Sequence, residues 1–121
     1  MTTFTPYKAI ADDTRRHILD MLRTEPLTAG AIAKQFERRG RSQAKLSRPA
    51  VSKHLSILRR SKLVIARRQG RERIYALNAE PLSQVSNWVK QYEAFWDTQL
   101  QAFKNFVEAE ELQEKTNARK G

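Results

Sequence analysis

The 121-residue sequence contains no cysteine, which excludes disulfides, thiolate metal sites and thiol chemistry from its function. It also lacks a run of about 18 apolar residues, the length that a membrane-spanning helix needs. Its first residues, MTTFTPYKAI, do not follow the basic-then-apolar order of a secretory signal. These absences predict a cytoplasmic protein with no membrane insertion.

Histidine is scarce, and the two that occur, His17 and His54, fall on different predicted helices. A catalytic site needs a converging nucleophile, base or metal, and neither histidine has such partners at motif spacing. Glu93 and Asp97 stand four residues apart and form a possible weak cation site, although a solvated helix face is the simpler interpretation. The sequence predicts no catalytic residue, no metal ligand and no cofactor.

Acidic residues are almost missing from the middle of the chain. Between Arg38 and Arg73 the sequence has thirteen lysines and arginines and a single acid, Glu72. This segment therefore carries +12, and the remaining residues sum to −2 in a protein of net charge +10. Such concentration favours a nucleic acid partner, because neutralising phosphates releases condensed counterions. A solubilising basic face is the alternative.

Capping residues and apolar spacing predict three helices in the first third of the chain. The start signals, in chain order, are Thr5 followed by Pro6, then Asp12 or Asp13, then Thr28. Glu25-Pro26 ends the second helix, because the residue before proline avoids the helical region. Gly40 interrupts the third.

A fourth helix, a hairpin and a long final helix follow. Ser47 caps the fourth helix, which has Pro49 in its first turn and extends to about Ser61. Two segments rich in β-formers, 63–68 and 72–77, flank a turn at Gly70. Asn78 and Pro81 are expected to open the last helix, and the polar residues after about Leu112 are expected to fray.

This order of elements predicts a mainly α, winged helix-turn-helix fold: five helices and a two-stranded β-hairpin wing in one domain over residues 1–112, with a polar tail over 113–121. At about 100° per residue, Val51, Leu55 and Leu58 form the buried stripe of the fourth helix. The opposite face and N-terminal end are predicted to enter the major groove of DNA, where lysine and arginine donate to guanine O6 and N7. The predicted contacts are Ser47, Arg48, Pro49, Ser52, Lys53, Ser56 and Arg60.

The wing and the last helix supply two further predicted surfaces. Four arginines surround the hairpin turn and suit the DNA backbone or minor groove: Arg67, Arg68, Arg71 and Arg73. The last helix carries an apolar stripe too large for a small domain to cover, which predicts a homodimer interface. Its predicted members are Trp88, Tyr92, Phe95, Trp96, Leu100 and Phe103. An intramolecular core is the alternative.

Several segments together resemble the ArsR/SmtB superfamily of bacterial repressors across nearly the whole chain: YKAIADDTRRHILDML, LTAGAIAKQF, LSRPAVSKHLSILRRSKLV, GRERIYALN and WVKQYEAFW. SRPAVSKHL and GRERIYAL are especially similar to its cysteine-free, SdpR-like autorepressor subgroup. The resemblance implies a homodimer that binds a palindromic operator, often its own promoter, and leaves it on an inducing signal, either a small molecule or a protein. It also implies that Phe4, Tyr7 and Ile10 join the dimer interface.

One departure from this family is an insertion at 38–45, RRGRSQAK, before the Leu46-Ser47 helix start. We expect it to bulge out or to extend the third helix, and its four bases either contact phosphates or form a solvated loop. The sequence as a whole predicts a sequence-specific, double-stranded-DNA-binding dimeric repressor that does not sense metal. A sequence-independent architectural DNA- or RNA-binding protein is the alternative, since charge alone does not distinguish them.

Overall fold

The computed structural model describes residues 4–38 and 46–120, and over them it confirms the predicted mainly helical order with one added strand. The elements are α1 (Pro6–Ile10), α2 (Asp13–Thr24), β1 (Leu27–Thr28), α3 (Ala29–Arg38), α4 (Arg48–Arg60), β2 (Val64–Gln69), β3 (Glu72–Leu77) and α5 (Leu82–Lys120). The inserted residues 39–45 lie outside the described residues. The chain divides into two compact units after Val85, so most of α5 forms a unit by itself.

Four helices begin where their capping residues were predicted. In each, the side-chain oxygen of the cap accepts a hydrogen bond from the backbone N–H three residues later. The caps and their oxygen–nitrogen distances are Thr5 (3.2 Å), Asp12 (3.0 Å), Thr28 (3.1 Å) and Ser47 (3.2 Å). Asp12 rather than Asp13 therefore caps α2. Each such cap stabilises its helix by about 1 kcal/mol.

Two arginines of α2 donate hydrogen bonds to the C-terminal end of the short helix α1. Arg15 Nε donates to the carbonyl of Ala9 at 2.8 Å, and Arg16 Nη1 donates to the carbonyl of Ile10 at 2.6 Å. These carbonyls end a helix of five residues, which is too short to be stable alone. Cationic donors at a helix C-terminus satisfy its unpaired carbonyls and favour its dipole.

The core of the first unit lies between α2, α3, α4 and the sheet. Six of its side chains are almost completely buried: Ile18, Ile32, Val51, Leu55, Leu58 and Leu63. Three of these come from α4, so the predicted inner face of that helix is confirmed. Tyr75 is 8% exposed and belongs to the same core. Truncating a fully buried leucine such as Leu55 to alanine typically costs about 2–5 kcal/mol.

The end of α4 is fixed by a turn in which Lys62 adopts the left-handed conformation, with φ of 65°. Lys62 N donates to the carbonyl of Arg59, and Leu63 N donates to that of Leu58, both at 3.0 Å. The side chain of Asn78 then donates to the carbonyl of Lys62 at 2.8 Å. The prediction that Asn78 opens the last helix is wrong, because α5 begins at Leu82, directly after Pro81, and the Asn78 amide binds the turn after α4 instead.

The sheet has three strands, in the order β1-β3-β2, so the prediction of a two-stranded hairpin is incomplete. β1 pairs antiparallel with β3, with Leu27 opposite Tyr75. Two residues are too few to produce a recognisable alternation, which is why the sequence did not reveal this strand. The hairpin of β2 and β3 has the predicted turn, since Gly70 has a φ of 63° that glycine adopts without steric cost.

Helix α5 continues to Lys120, so the prediction that the chain frays after Leu112 is wrong. Residues 82–120 contain no glycine or proline, and the last nine are rich in the strong helix formers Glu, Gln, Lys and Ala. Favourable intrinsic propensity thus extends the helix beyond its last apolar residue. None of the helices within the described residues is long and apolar enough to cross a membrane.

A histidine on α4 packs against the N-terminus of α2. His54 Nδ1 is buried, lies 3.9 Å from Asp12 Oδ2 and has no hydrogen-bond partner in the described part of the chain. Burial lowers the pKa of His54 below its ordinary value of 6.5; the Asp12 carboxylate opposes this shift and Arg15 reinforces it. Because the unfolded chain takes up a proton at a higher pH than the folded chain, the free energy of unfolding decreases as the pH falls from about 6.5 toward the lower pKa of His54 in the folded protein.

We predict that Asp12→Asn lowers the pKa of His54 further. Asparagine caps a helix as well as aspartate does, so the substitution removes the carboxylate charge and retains α2. An NMR titration of the His54 imidazole measures both pKa values. A wild-type pKa at or above 6.5, or a pKa that rises in Asp12→Asn, would contradict this account of the α2–α4 contact.

Candidate nucleic-acid interface

Helix α4 has one buried and one exposed face. Val51, Leu55 and Leu58 are fully buried, which fixes the rotation of the helix about its own axis. The side chains predicted from the sequence to contact DNA all lie on the exposed surface: Ser47, Arg48, Pro49, Ser52, Lys53, Ser56 and Arg60. Their contact with DNA itself stays a prediction.

Two arginines at opposite ends of α4 have defined packing partners. A Cβ placed on Gly30 would lie 3.6 Å from Arg48 Cζ, so this guanidinium lies over the first turn of α3. Arg60 Cζ lies 5.0 Å from the centre of the Phe4 ring, within the range of a cation–π interaction. The ring covers one face of this guanidinium, and the exposed N–H groups at its edge are the donors that suit a phosphate. Phe4, predicted at the dimer interface, thus supports α4.

An open groove of about 540 Å³ separates the end of α4 from the start of β2. It is lined by Ser56, Arg59, Arg60, Val64, Ile65 and Ala66. Arg59 is absent from the predicted contacts, although it is exposed. The count of about 100° per residue puts Arg59 only about 20° from Ser52, so helical periodicity offered the signal that was missed. The groove joins the basic face of α4 to the wing.

The wing presents all four predicted arginines to solvent: Arg67, Arg68, Arg71 and Arg73. Arg68 stands directly opposite Arg73 in the pairing of β2 with β3. Like charges in directly opposed positions destabilise an antiparallel pair. A phosphate between the two guanidinium groups would remove this repulsion, so the pair suits an anionic partner.

The predicted dimer residues divide between the two units of the chain. In the second unit, six aromatic and aliphatic side chains of α5 are exposed: Trp88, Tyr92, Phe95, Trp96, Leu100 and Phe103. The rings of Trp88 and Tyr92 lie edge to face with centres 5.1 Å apart. In the first unit, Tyr7 Oη donates to the carbonyl of Gln84 at 3.0 Å, and Ile10 packs partly against the core.

The histidines have packing roles in the structure. The imidazole of His17 meets the ring of Phe36 edge to face, with centres 6.4 Å apart. His54 faces α2, so it is not among the exposed residues of α4. Over residues 4–38 and 46–120, no group of three or more His, Asp or Glu side chains is arranged to hold a metal ion.

Comparison with known proteins matches residues 10–66 to a helix-turn-helix domain family. The transcriptional repressor SdpR of Bacillus subtilis is 39% identical over 83 residues, which cover 69% of this chain and 83% of SdpR. The crystal structure of an ArsR family transcriptional regulator, RHA00566, has a TM-score of 0.61 and 31% identity, covering 75% of this chain and 91% of the other. An ArsR-like transcriptional regulator from Rhodococcus sp. RHA1 has a TM-score of 0.61 and 29% identity, covering 85% and 87%.

The matched residues include α2, α3, α4 and the start of β2, which are the elements that position the basic face of α4. The ArsR-like regulator from Rhodococcus covers 85% of this chain, a larger share than residues 10–66 alone. These likenesses agree with the resemblance seen in the sequence. The chain therefore belongs to the ArsR/SmtB superfamily of winged helix-turn-helix, DNA-binding transcriptional regulators.

Proposed function

We propose that this protein is a cytoplasmic, dimeric repressor of a palindromic operator, with its own promoter as the first candidate, and that its inducing signal is not a metal ion. The observation that carries the proposal is the two-faced α4, whose complete burial on one side presents a basic, serine-lined surface on the other. The likeness to a transcriptional repressor supports this function.

In this proposal α4 lies in the major groove, with α3 packed behind it. Ser52 and Ser56 are short enough to let the helix approach the bases closely. Lys53 and Arg48 carry donors that suit guanine O6 and N7. These side chains read the base sequence, whereas Ser47 and Pro49 hold the first turn of the helix against the DNA.

Phosphate contacts come from the wing and from the groove beside it. Arg68 and Arg73 stand directly opposite one another in the pairing of β2 with β3, and Arg71 lies at the hairpin tip. Arg59 and Arg60 extend the same charge along the groove to α4. Such contacts position the protein and supply most of its salt-dependent affinity without reading sequence.

The exposed stripe on α5 is the proposed surface between two copies, joined by Phe4, Tyr7 and Ile10 of the first unit, within a domain of residues 1–112. Aromatic residues exposed at this density are typical of protein interfaces. Two copies related by a twofold axis would present their α4 helices about 34 Å apart, which matches one turn of DNA and predicts two half-sites.

Replacing Ser52 and Lys53 together with alanine should remove base contacts and leave most phosphate contacts. We expect a loss of about 5–150-fold in the preference for operator over random duplex, equivalent to about 1–3 kcal/mol. Competition binding at physiological salt measures this ratio, with operator DNA found by footprinting the region upstream of the gene. Arg23→Ala, which removes one charge from α2 outside both basic surfaces, is the matched control.

Two outcomes of this competition would count against the proposal. If wild-type protein binds operator and random duplexes equally, it is an architectural nucleic acid-binding protein and not a repressor. If the double variant keeps the full preference of the wild type, α4 does not read the bases.

Replacing Arg71 with alanine should remove one phosphate contact. We expect the slope of log binding constant against log salt concentration to fall in magnitude by about 0.9, with equal effect on operator and random duplexes. The same titration with Arg23→Ala, which loses the same charge, should leave the slope unchanged. Equal slopes for wild type and Arg71→Ala would show that the wing tip does not touch the backbone.

Replacing Trp96 with glutamate should place a charge in the proposed dimer interface and shift the protein to monomer. Sedimentation at micromolar concentration measures this. Ala94→Glu introduces the same charge about 160° around α5, on the face opposite the stripe, and should leave the dimer intact. A wild-type monomer, or equal dissociation in both variants, would refute an interface formed by this stripe.

A further inference from the structure

The wing has an outer face whose apolar side chains the DNA contacts leave unexplained. Ile65 pairs with Ala76 and Arg67 pairs with Ile74, so these four side chains share one face of the sheet. Val64 is buried on the opposite face, toward the core. A solvent-facing sheet surface is normally polar, yet Ile65 is 50% exposed here.

This outer face forms a pocket of about 260 Å³. Its lining is Pro26, Ile65, Arg67, Gln69, Ile74 and Ala76. Pro26 reaches the pocket because β1, which follows it immediately, is the strand that pairs with β3. The added third strand therefore gives the wing a wall that a two-stranded hairpin would lack. The volume lies just below the range of pockets that bind drug-sized ligands, so it suits a smaller molecule.

The polar groups at this pocket define the chemistry of its occupant. Four of the six lining side chains are apolar, and the two polar ones are the Arg67 guanidinium and the Gln69 amide. Within the described part of the chain, Arg67 has no ion-pair partner. An exposed guanidinium beside an apolar surface matches a carboxylate attached to a compact hydrocarbon body, because arginine binds carboxylates through two parallel hydrogen bonds.

We propose that this pocket binds a small apolar carboxylic acid, with the carboxylate on Arg67 and the hydrocarbon on Ile65, Ile74 and Pro26, and that the bound acid weakens DNA binding. This second consequence rests on the proposed function and on the sequence prediction that Arg67 contacts the DNA backbone. A carboxylate paired with Arg67 neutralises the charge that the phosphate would otherwise meet. The acid and the operator thus compete for one guanidinium, which makes the acid an inducer.

Binding is tested first without DNA, so that its outcome does not depend on the repressor proposal. Protein labelled at the isoleucine δ1 methyls is titrated with benzoate and with 3-methylbutanoate. We expect saturable shifts of the Ile65 and Ile74 methyl signals, whereas the signals of Ile18 and Ile32, which are fully buried in the core, stay in place and report that the fold is intact. Benzamide, which has the same ring without the charge, should shift them much less.

Two charge-matched variants identify the residue that holds the acid. Arg67→Gln should abolish the saturable shifts. Arg68→Gln loses the same charge from the neighbouring position of β2, whose side chain points to the other face, and should retain them. If neither acid gives a saturable shift of both methyls by about 10 mM, or if Arg67→Gln binds as wild type does, the pocket is not a carboxylate site.

The competition step is tested separately with operator DNA. Saturating benzoate should lower operator affinity about 5-fold, at the lower end of typical coupling between two sites, and Arg67→Gln should lose this response. Binding of the acid with unchanged operator affinity would overturn the inducer role. Shifts of Ile65 and Ile74 that depend on protein concentration without any acid would show that a second copy covers this face, which also refutes the proposal.

Discussion

The burial of three side chains on α4 determines how the rest of the molecule can work. Val51, Leu55 and Leu58 fill the core so completely that rotating the helix would expose apolar surface, at about 25 cal/mol for each Å². The caps at Ser47 and the turn at Lys62 fix its two ends. A helix held in this way presents its exposed side chains as a rigid set, which is the condition for reading bases at hydrogen-bond precision.

The positive charge of the surface around α4 includes a repulsion within the wing that an anionic partner would relieve. Arg68 and Arg73 repel one another across the hairpin, and the segment between Arg38 and Arg73 contains no acid except Glu72 to relieve them. The fold of this chain tolerates the repulsion because the buried core of the first unit stabilises it independently of its surface charge. In the proposed complex, phosphates would meet Arg68 and Arg73 on strands whose backbone the sheet already orders, so no backbone conformational entropy would be lost there on binding.

The features predicted correctly from the sequence are those with local causes. A cap such as Asp12 acts on an N–H only three residues away, and the stripe on α4 follows from helical periodicity alone. The features that were missed depend on distant partners. Asn78 binds a carbonyl sixteen residues earlier, and β1 exists only because Tyr75 lies opposite Leu27. Composition gave no sign of either contact.

The missed strand also changes what the wing can be. A hairpin of two strands would be paired along one edge of β3 only. The third strand, β1, pairs with the other edge of β3 and so attaches the hairpin to the segment that joins α2 to α3. The wing is thereby a three-stranded sheet with one face toward the core, arginines around its hairpin turn, and a largely apolar pocket on its outer face. Arg67 is one of the arginines around the hairpin turn and also lines this pocket. The sequence assigned this residue a DNA contact from its place beside the hairpin turn, whereas the register of the strands and the pocket lining show that it also lies on the outer face with Ile65 and Ile74.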